Sequence, residues 1–264
     1  MKSSKKSDVK VIDGIQEAIN QEAALKNAWY ICDQFEAAQK HTRPTIQRRY
    51  HFIFDSIEKY LQGKNKRPLR ALDPGCGDGV QLRGLVRIPE LEIYGIDYNP
   101  IRTGRAGEKF PTVSIVCGDM LHAPFKEKVF DIILCSQVIE HIPRDDSLLK
   151  ELTNVLKPDG FLILGTPNEG CFMARLRNYI FERRILKSTD HIHFYKESVI
   201  RRKIEAAGFS IQGVMRENWF FPHRRINYYL SNRNWGFRLM SRFSQIIPSQ
   251  TAGYYFRCVK EAKE

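Results

Sequence analysis

Long apolar runs are missing from this 264-residue chain. The most apolar stretches, Ile132–Cys135 and Phe161–Gly165, fall far short of the roughly 18–20 residues of a bilayer span. A transmembrane helix is therefore not expected. The basic start, Met1-Lys2-Ser3-Ser4-Lys5-Lys6, meets Asp8, Lys10 and Asp13 rather than an apolar stretch, which argues against a secretory signal. Cysteines are few and scattered, at 32, 76, 117, 135, 171 and 258. They form no C-x-x-C pair, and no histidine stands at zinc-finger spacing. That excludes a disulfide framework and a structural zinc site, and the expectation is a reduced, cytoplasmic chain. Repeats and low-complexity stretches are absent as well. With 42% hydrophobic and 11% aromatic residues, wholesale disorder is excluded, and the length allows one large domain or two small ones.

Acidic residues are sparse at both ends. Residues 1–70 carry 14 Lys and Arg against 8 Asp and Glu, residues 71–165 carry 10 against 14, and residues 166–264 carry 18 against 8. The net charge of +12 thus belongs to two basic flanks around an acidic centre. Such flanks suit an anionic small molecule, a nucleic acid or an anionic membrane surface, or they are a solvated face that aids solubility.

Residues 8–41 follow a helical pattern, with Val11, Ile12, Ile15 and Ile19 at three- and four-residue steps. Pro44 opens a second helix through Tyr60, and a polar linker, Gln62–Pro68, follows. From Leu69 the texture changes. Strands are expected at Arg70–Asp73, Glu92–Asp97, Val113–Cys117, Phe130–Ser136, Gly160–Thr166, Ser210–Arg216 and Tyr254–Lys260, with helices near 79–87, 100–109, 145–156 and 195–207. Alternating strands and helices predict an α/β fold with a mainly parallel sheet. The last strand, after a long connection at 217–251, suits an antiparallel edge.

The sharpest chemical signal is Ala71-Leu72-Asp73-Pro74-Gly75-Cys76-Gly77-Asp78-Gly79, a strand running into three glycines at alternate positions. Such a turn brings backbone N–H groups close to a ligand. It is neither the dinucleotide fingerprint G-x-G-x-x-G nor a Walker loop, since no lysine follows. Asp73 would repel a pyrophosphate but suits an amino group. Asp97 ends the second strand, 24 residues later, where a carboxylate can accept two ribose hydroxyls. Asp119 ends the third, placed to accept from an adenine amino group, with Met120 able to cover the ring. Each acid alone has a plainer reading as a helix cap.

These motifs resemble the class I S-adenosylmethionine-dependent methyltransferases over roughly residues 69–210. Two further stretches match: Phe130-Asp131-Ile132-Ile133-Leu134-Cys135-Ser136-Gln137-Val138-Ile139-Glu140-His141-Ile142 and Leu156-Lys157-Pro158-Asp159-Gly160-Phe161 through Asn168. The resemblance implies a Rossmann-like, seven-stranded sheet with an antiparallel last strand, helices on both faces and an N-terminal helical cap (1–68). S-adenosyl-L-methionine would be the cofactor, held by Asp73, Gly75, Cys76, Gly77, Asp97, Tyr98, Asp119, Met120, Ser136 and Gln137. Glu140-His141 and Lys187–Tyr195 look like the ubiquinone-pathway O-methyltransferase branch. Those enzymes carry a metal-linked glutamate where this chain has Gln137, a poor ligand, so no metal is expected. The amino-group signature Asp/Asn-Pro-Pro-Tyr/Phe is absent; Cys135-Ser136-Gln137-Val138 stands there instead.

A hydroxyl acceptor needs a base, and His141 at the fourth-strand exit is the first candidate, followed by His191 and His193. Alternate residues of an extended segment face opposite ways, so one of the latter two is expected to be structural. Segments 167–190 and 217–251 would form a lid over the acceptor, the second interleaving aromatics with arginines. Together these features predict methyl transfer to oxygen of a small anionic or lipid-linked metabolite, with peripheral membrane contact through 217–251 as a further option. An RNA methyltransferase is the alternative. A non-catalytic cofactor-binding subunit is a third reading, against which the intact glycines and acids speak.

Overall fold

The computed structural model describes residues 33, 44–64, 68–183 and 190–261. The helical pattern of residues 8–41 lies outside them, Asp33 apart. Helix α1 (Pro44–Gln62) begins at Pro44, whose fixed φ suits a first turn. Its Ile53 and Ile57 are buried.

Seven strands follow: β1 (Leu69–Pro74), β2 (Leu91–Asp97), β3 (Ser114–Cys117), β4 (Phe130–Ser136), β5 (Leu156–Pro167), β6 (Phe209–Arg216) and β7 (Gly253–Lys260). They form one sheet in the order β3-β2-β1-β4-β5-β7-β6. Strand β7 runs antiparallel to both of its neighbours, and every other pairing is parallel. This is the expected sheet. Chain order changes direction between β1 and β4, and the crevice outside the carboxyl ends of strands at such a switch point is where α/β sheets bind ligands.

Side chains alternate along each strand, so both faces of the sheet are packed. Leu72, Ile133, Cys135, Leu162, Leu164 and Phe256 pack one way. There they meet helix α4 (Asp145–Val155) through Leu148, Leu149 and Leu152, and helix α6 (Glu197–Ala206) through Ile200 and Ile204. Ala71, Ile132, Leu134, Ile163 and Tyr255 pack the other way, against α1 and helix α2 (Leu82–Leu85). Helix α3 (Pro100–Lys109) starts where expected, because the Asn99 side chain accepts the N–H groups of Ile101 and Arg102 and Pro100 takes the first position.

Two expectations are corrected. The helix near 79–87 shrinks to the four residues of α2, because Gly79 sits at φ +87° and cannot begin a right-handed turn. Strand β5 starts four residues earlier than Gly160. Leu156 pairs with Phe130 before a register shift, and Lys157 then reaches Asp131 at 2.7 Å. The long 217–251 connection contains a pair of helices, α7 (Arg224–Ser231) and α8 (Asn234–Ile246). A shorter helix, α5 (Phe172–Leu176), follows β5 and widens into a looser turn over Arg177–Phe181. No helix among the described residues is long and apolar enough to cross a membrane.

Candidate active site

The glycine turn after β1 requires glycine twice over. Gly75 lies at φ +72° and Gly77 at φ +51°, backbone conformations that side chains resist. A Cβ on Gly75 would stand 2.4 Å from a Val138 methyl, and one on Gly77 2.1 Å from the Arg102 guanidinium. The N–H groups of Gly75 and Cys76 donate to the Ile96 carbonyl at 2.7 and 3.1 Å, which sews the turn to β2. Cys76 itself is buried against Gly95. Its thiol is core, and only its backbone belongs to the turn.

Asp73 and Asp97 converge here, both buried. Asp97 accepts from the backbone N–H of Gly77 and of Asn99, each at 2.9 Å. Burial raises its pKa, against the pull of Arg102 and these two N–H groups. Burial and the nearby Asp97 charge push Asp73 far above the usual carboxylate range, and its Oδ2 has no partner. A buried oxygen without a donor is costly, and a cationic ligand group would relieve it. Asp78 is a residue of the turn that local sequence does not single out. Fully buried, it pairs with Arg102 at 3.2 Å and Arg105 at 2.8 Å, and so ties the turn to α3. Its only mark in the sequence is its place between Gly77 and Gly79.

Of the third-strand residues, Met120 sits differently from expectation and Asp119 takes the capping role. Asp119 caps a short turn, accepting from Leu121 N–H at 2.9 Å and standing 3.1 Å from His122 Nδ1. Met120 is buried in the core with Leu72 and Ile96 instead of covering the crevice, because the turn capped by Asp119 directs it inward. Tyr98 is exposed. Ser136 shares a hydrogen bond with Tyr255 at 2.7 Å and accepts from Gln81 Nε2 at 3.2 Å. Gln137 takes φ +61° and donates its N–H to the Gly165 carbonyl.

Beyond Gln137, the exit of β4 gathers titratable groups. Glu140 is fully buried; Thr166 donates to its Oε2 at 3.2 Å, and Oε1 has no partner. Burial raises its pKa, although His141 and His191 pull the other way. The Glu140 carbonyl accepts from Ile192 and His193 N–H at 3.0 and 3.1 Å, drawing residues 190–195 to the strand exit. His141 Nδ1 thereby lies 3.3 Å from Asp190, and its ring meets the His191 ring edge-on with centroids 4.7 Å apart. Burial lowers the His141 pKa, but the neighbouring Asp190 and Glu140 outweigh it and the net shift is upward. His191 Nδ1 faces Glu169 at 2.7 Å, and Arg177 holds Glu169 at 3.0 Å. His193 turns elsewhere, donating from Nε2 to the Ile142 carbonyl at 3.0 Å and stacking on Tyr195. One ligand atom from each of Glu140, His141 and His191 falls within 4.8 Å of the others.

On the opposite side of the sheet, Arg49 reaches Glu217 at 2.5 Å and lies over the Tyr255 ring. Arg48 donates to Asn218. Both arginines are therefore occupied.

A family profile described as a methyltransferase domain matches residues 45–213. The chain is 23% identical over 168 residues to a probable S-adenosylmethionine-dependent methyltransferase of Mycolicibacterium smegmatis, covering 64% of this chain but only 60% of that protein. It is 24% identical over 180 residues to a ubiquinone biosynthesis O-methyltransferase of Acinetobacter baumannii, covering 60% of this chain and 74% of that protein. Its fold resembles that of Haemonchus contortus phosphoethanolamine N-methyltransferase 2 with S-adenosyl-L-methionine bound, at TM-score 0.54 and 18% identity over 78% of this chain and 53% of that one. The chain belongs to the methyltransferase domain family and carries the S-adenosylmethionine-dependent, Rossmann-like domain of that family.

Proposed function

We propose that the protein transfers a methyl group from S-adenosylmethionine to an oxygen of a small acceptor, anionic or lipid-linked. The observation carrying this reading is the His141–Asp190 pair at the β4 exit. Val138, three residues before His141, packs on Gly75, so the candidate base adjoins the cofactor turn. The ubiquinone O-methyltransferase among the relatives supports an oxygen acceptor.

The residues fit the cofactor: Asp73 offers an unpartnered buried oxygen beside the left-handed Gly75–Gly77 turn. Asp73 would hold the amino group, and Asp97, while accepting two backbone N–H groups, keeps lone pairs for ribose hydroxyls. When bound, the cofactor supplies an electrophilic methyl on a sulfonium. His141 then takes the acceptor's hydroxyl proton on Nε2, since Nδ1 faces Asp190. Asp190 and Glu140 stabilise the imidazolium that forms. Incubation with methyl-labelled cofactor and a panel of phenols, amines and tRNA, read by mass spectrometry, tests the reading. Label on a hydroxyl acceptor is expected, and label confined to amines or RNA overturns it.

A second reading is favoured by the trio Glu140, His141 and His191, whose ligand atoms lie within 4.8 Å of one another. Each imidazole has its Nδ1 against a carboxylate, the outer-shell arrangement of metal-bound histidines. In the sequence only Gln137 bears on a metal, whereas the fold brings His191 beside His141. In this reading Glu140, His141 and His191 would hold a divalent cation that would supply Lewis-acid chemistry, and His141 would be a ligand rather than a base.

A further inference from the structure

Outside the active site, the helical pair α7–α8 presents a face that the methyl-transfer reading leaves unused. From Asn218 to Lys260 the sequence contains no acidic residue, whereas Arg224, Arg225, Arg233, Arg238 and Arg242 fall within the pair or its connecting turn. Among the described residues none of the five is in an ion pair, and Arg233 instead lies over the Tyr229 ring at 4.4 Å. Helix α8 buries Gly236, Met240 and Ser244 along one side. Its exposed residues Trp235, Arg238, Leu239, Arg242 and Ile246 fall within about 100° of one another at 3.6 residues per turn, forming one outward stripe. Helix α7 buries nothing and exposes Ile226, Tyr228 and Tyr229. Tyr229 and Trp235 touch edge-on at 6.4 Å, joining the two helices' outer faces. Phe181 meets His223 at 5.8 Å and extends the surface to Tyr179 and Ile180, both about 60% exposed. Past Ile247, Ser249 and Gln250 line a cavity of about 590 Å³ together with Arg175, Lys196, Arg201 and Glu197.

We infer that this face docks on an anionic lipid bilayer. Arginines flanking tryptophan, tyrosine and aliphatic side chains on a helix surface are what partitions into a headgroup region. A second copy of the chain fits poorly, because two arginine-rich faces repel, even with Glu182 accepting the Arg224 N–H at their edge. Single-stranded nucleic acid stacks on aromatics but gains little from Ile226, Leu239 and Ile246. Docking is independent of the acceptor's identity and is read by vesicle binding, so it and the proposed reaction can fail separately.

The experiment is co-flotation of the full chain with phosphatidylcholine vesicles, with or without about a third phosphatidylglycerol. Binding to the anionic vesicles, weakened by salt, is expected. Arg238→Glu with Arg242→Glu should reduce partitioning by about tenfold or more, at roughly fivefold per arginine. Trp235→Ser with Leu239→Ser should also reduce it, and neither pair should alter cofactor affinity by calorimetry. Failure to float with anionic vesicles, or flotation untouched by both pairs, overturns the inference. So does the finding that the same substitutions abolish dimerisation or tRNA binding while vesicle binding persists.

Discussion

The Oδ1 of Asp190 stands 3.3 Å from the Nδ1 of His141, although 49 residues separate them in sequence. The contact exists because the Glu140 carbonyl collects the N–H groups of Ile192 and His193, which folds the 190–195 segment back onto the β4 exit. A carboxylate there favours the imidazolium, and that explains the upward shift of His141 despite its burial.

His141→Ala is expected to leave cofactor affinity within a few-fold and to lower kcat by about 10²–10⁴. The base form of His141 must be neutral, so wild-type activity should fall as pH drops through a pKa above 6.5. Asp190→Asn removes a charge that raises this pKa, and the acid limb should move to lower pH. The linked stability has the opposite sense: the protonated pair stabilises the fold at low pH, and that contribution is lost as pH rises through the raised pKa. Full turnover by folded His141→Ala makes the residue a loop anchor.

Chelation separates the two readings of the Glu140–His141–His191 trio. Activity is expected to survive EDTA. Loss of turnover with EDTA, restored by magnesium, manganese or zinc, would reassign the trio to metal binding.

Asp97→Ala should weaken S-adenosylmethionine binding by about tenfold or more, since a hydrogen bond to a charged group contributes about 1.5–3 kcal/mol. The carboxylate also accepts the Gly77 and Asn99 N–H groups, so a lower Tm should accompany the change. Calorimetry showing wild-type affinity would remove Asp97 from the cofactor site.

Gly75→Ala places a methyl 2.4 Å from Val138 at φ +72°. Strain of about 1–3 kcal/mol for the backbone alone, plus the clash, should lower Tm and cofactor affinity together. Adding Val138→Ala removes the clash but not the left-handed strain, so the double variant should recover only part of the loss. Complete recovery would show that sterics alone act at this position.

Much of this protein is legible locally. Alternating short strands and helices mark the α/β sheet because period-two and period-3.6 burial leave distinct patterns. The glycines at 75 and 77 announce a turn that side chains would block. Asp73 and Asp97 follow because strand ends at a switch point face one crevice. Asn99-Pro100 marks the start of α3 through capping chemistry within a few residues. In each case the deciding interaction is close in sequence or follows from a strand's own geometry.

The remainder needed contacts between distant segments. Nothing around Met120 distinguishes a residue over a crevice from one in the core; the packing of Leu72 and Ile96 places it inside. His191 and His193 are equivalent in sequence, yet Glu169 takes one and the Ile142 carbonyl the other. Nothing near Arg48 and Arg49 in sequence names their partners, Asn218 and Glu217, which lie 170 and 168 residues away. Ion pairs and hydrogen bonds depend on ångström-scale distance and leave no periodic trace along the chain, so the chemistry of the β4 exit emerges only when the sheet brings Glu140, Glu169 and Asp190 to the same histidines.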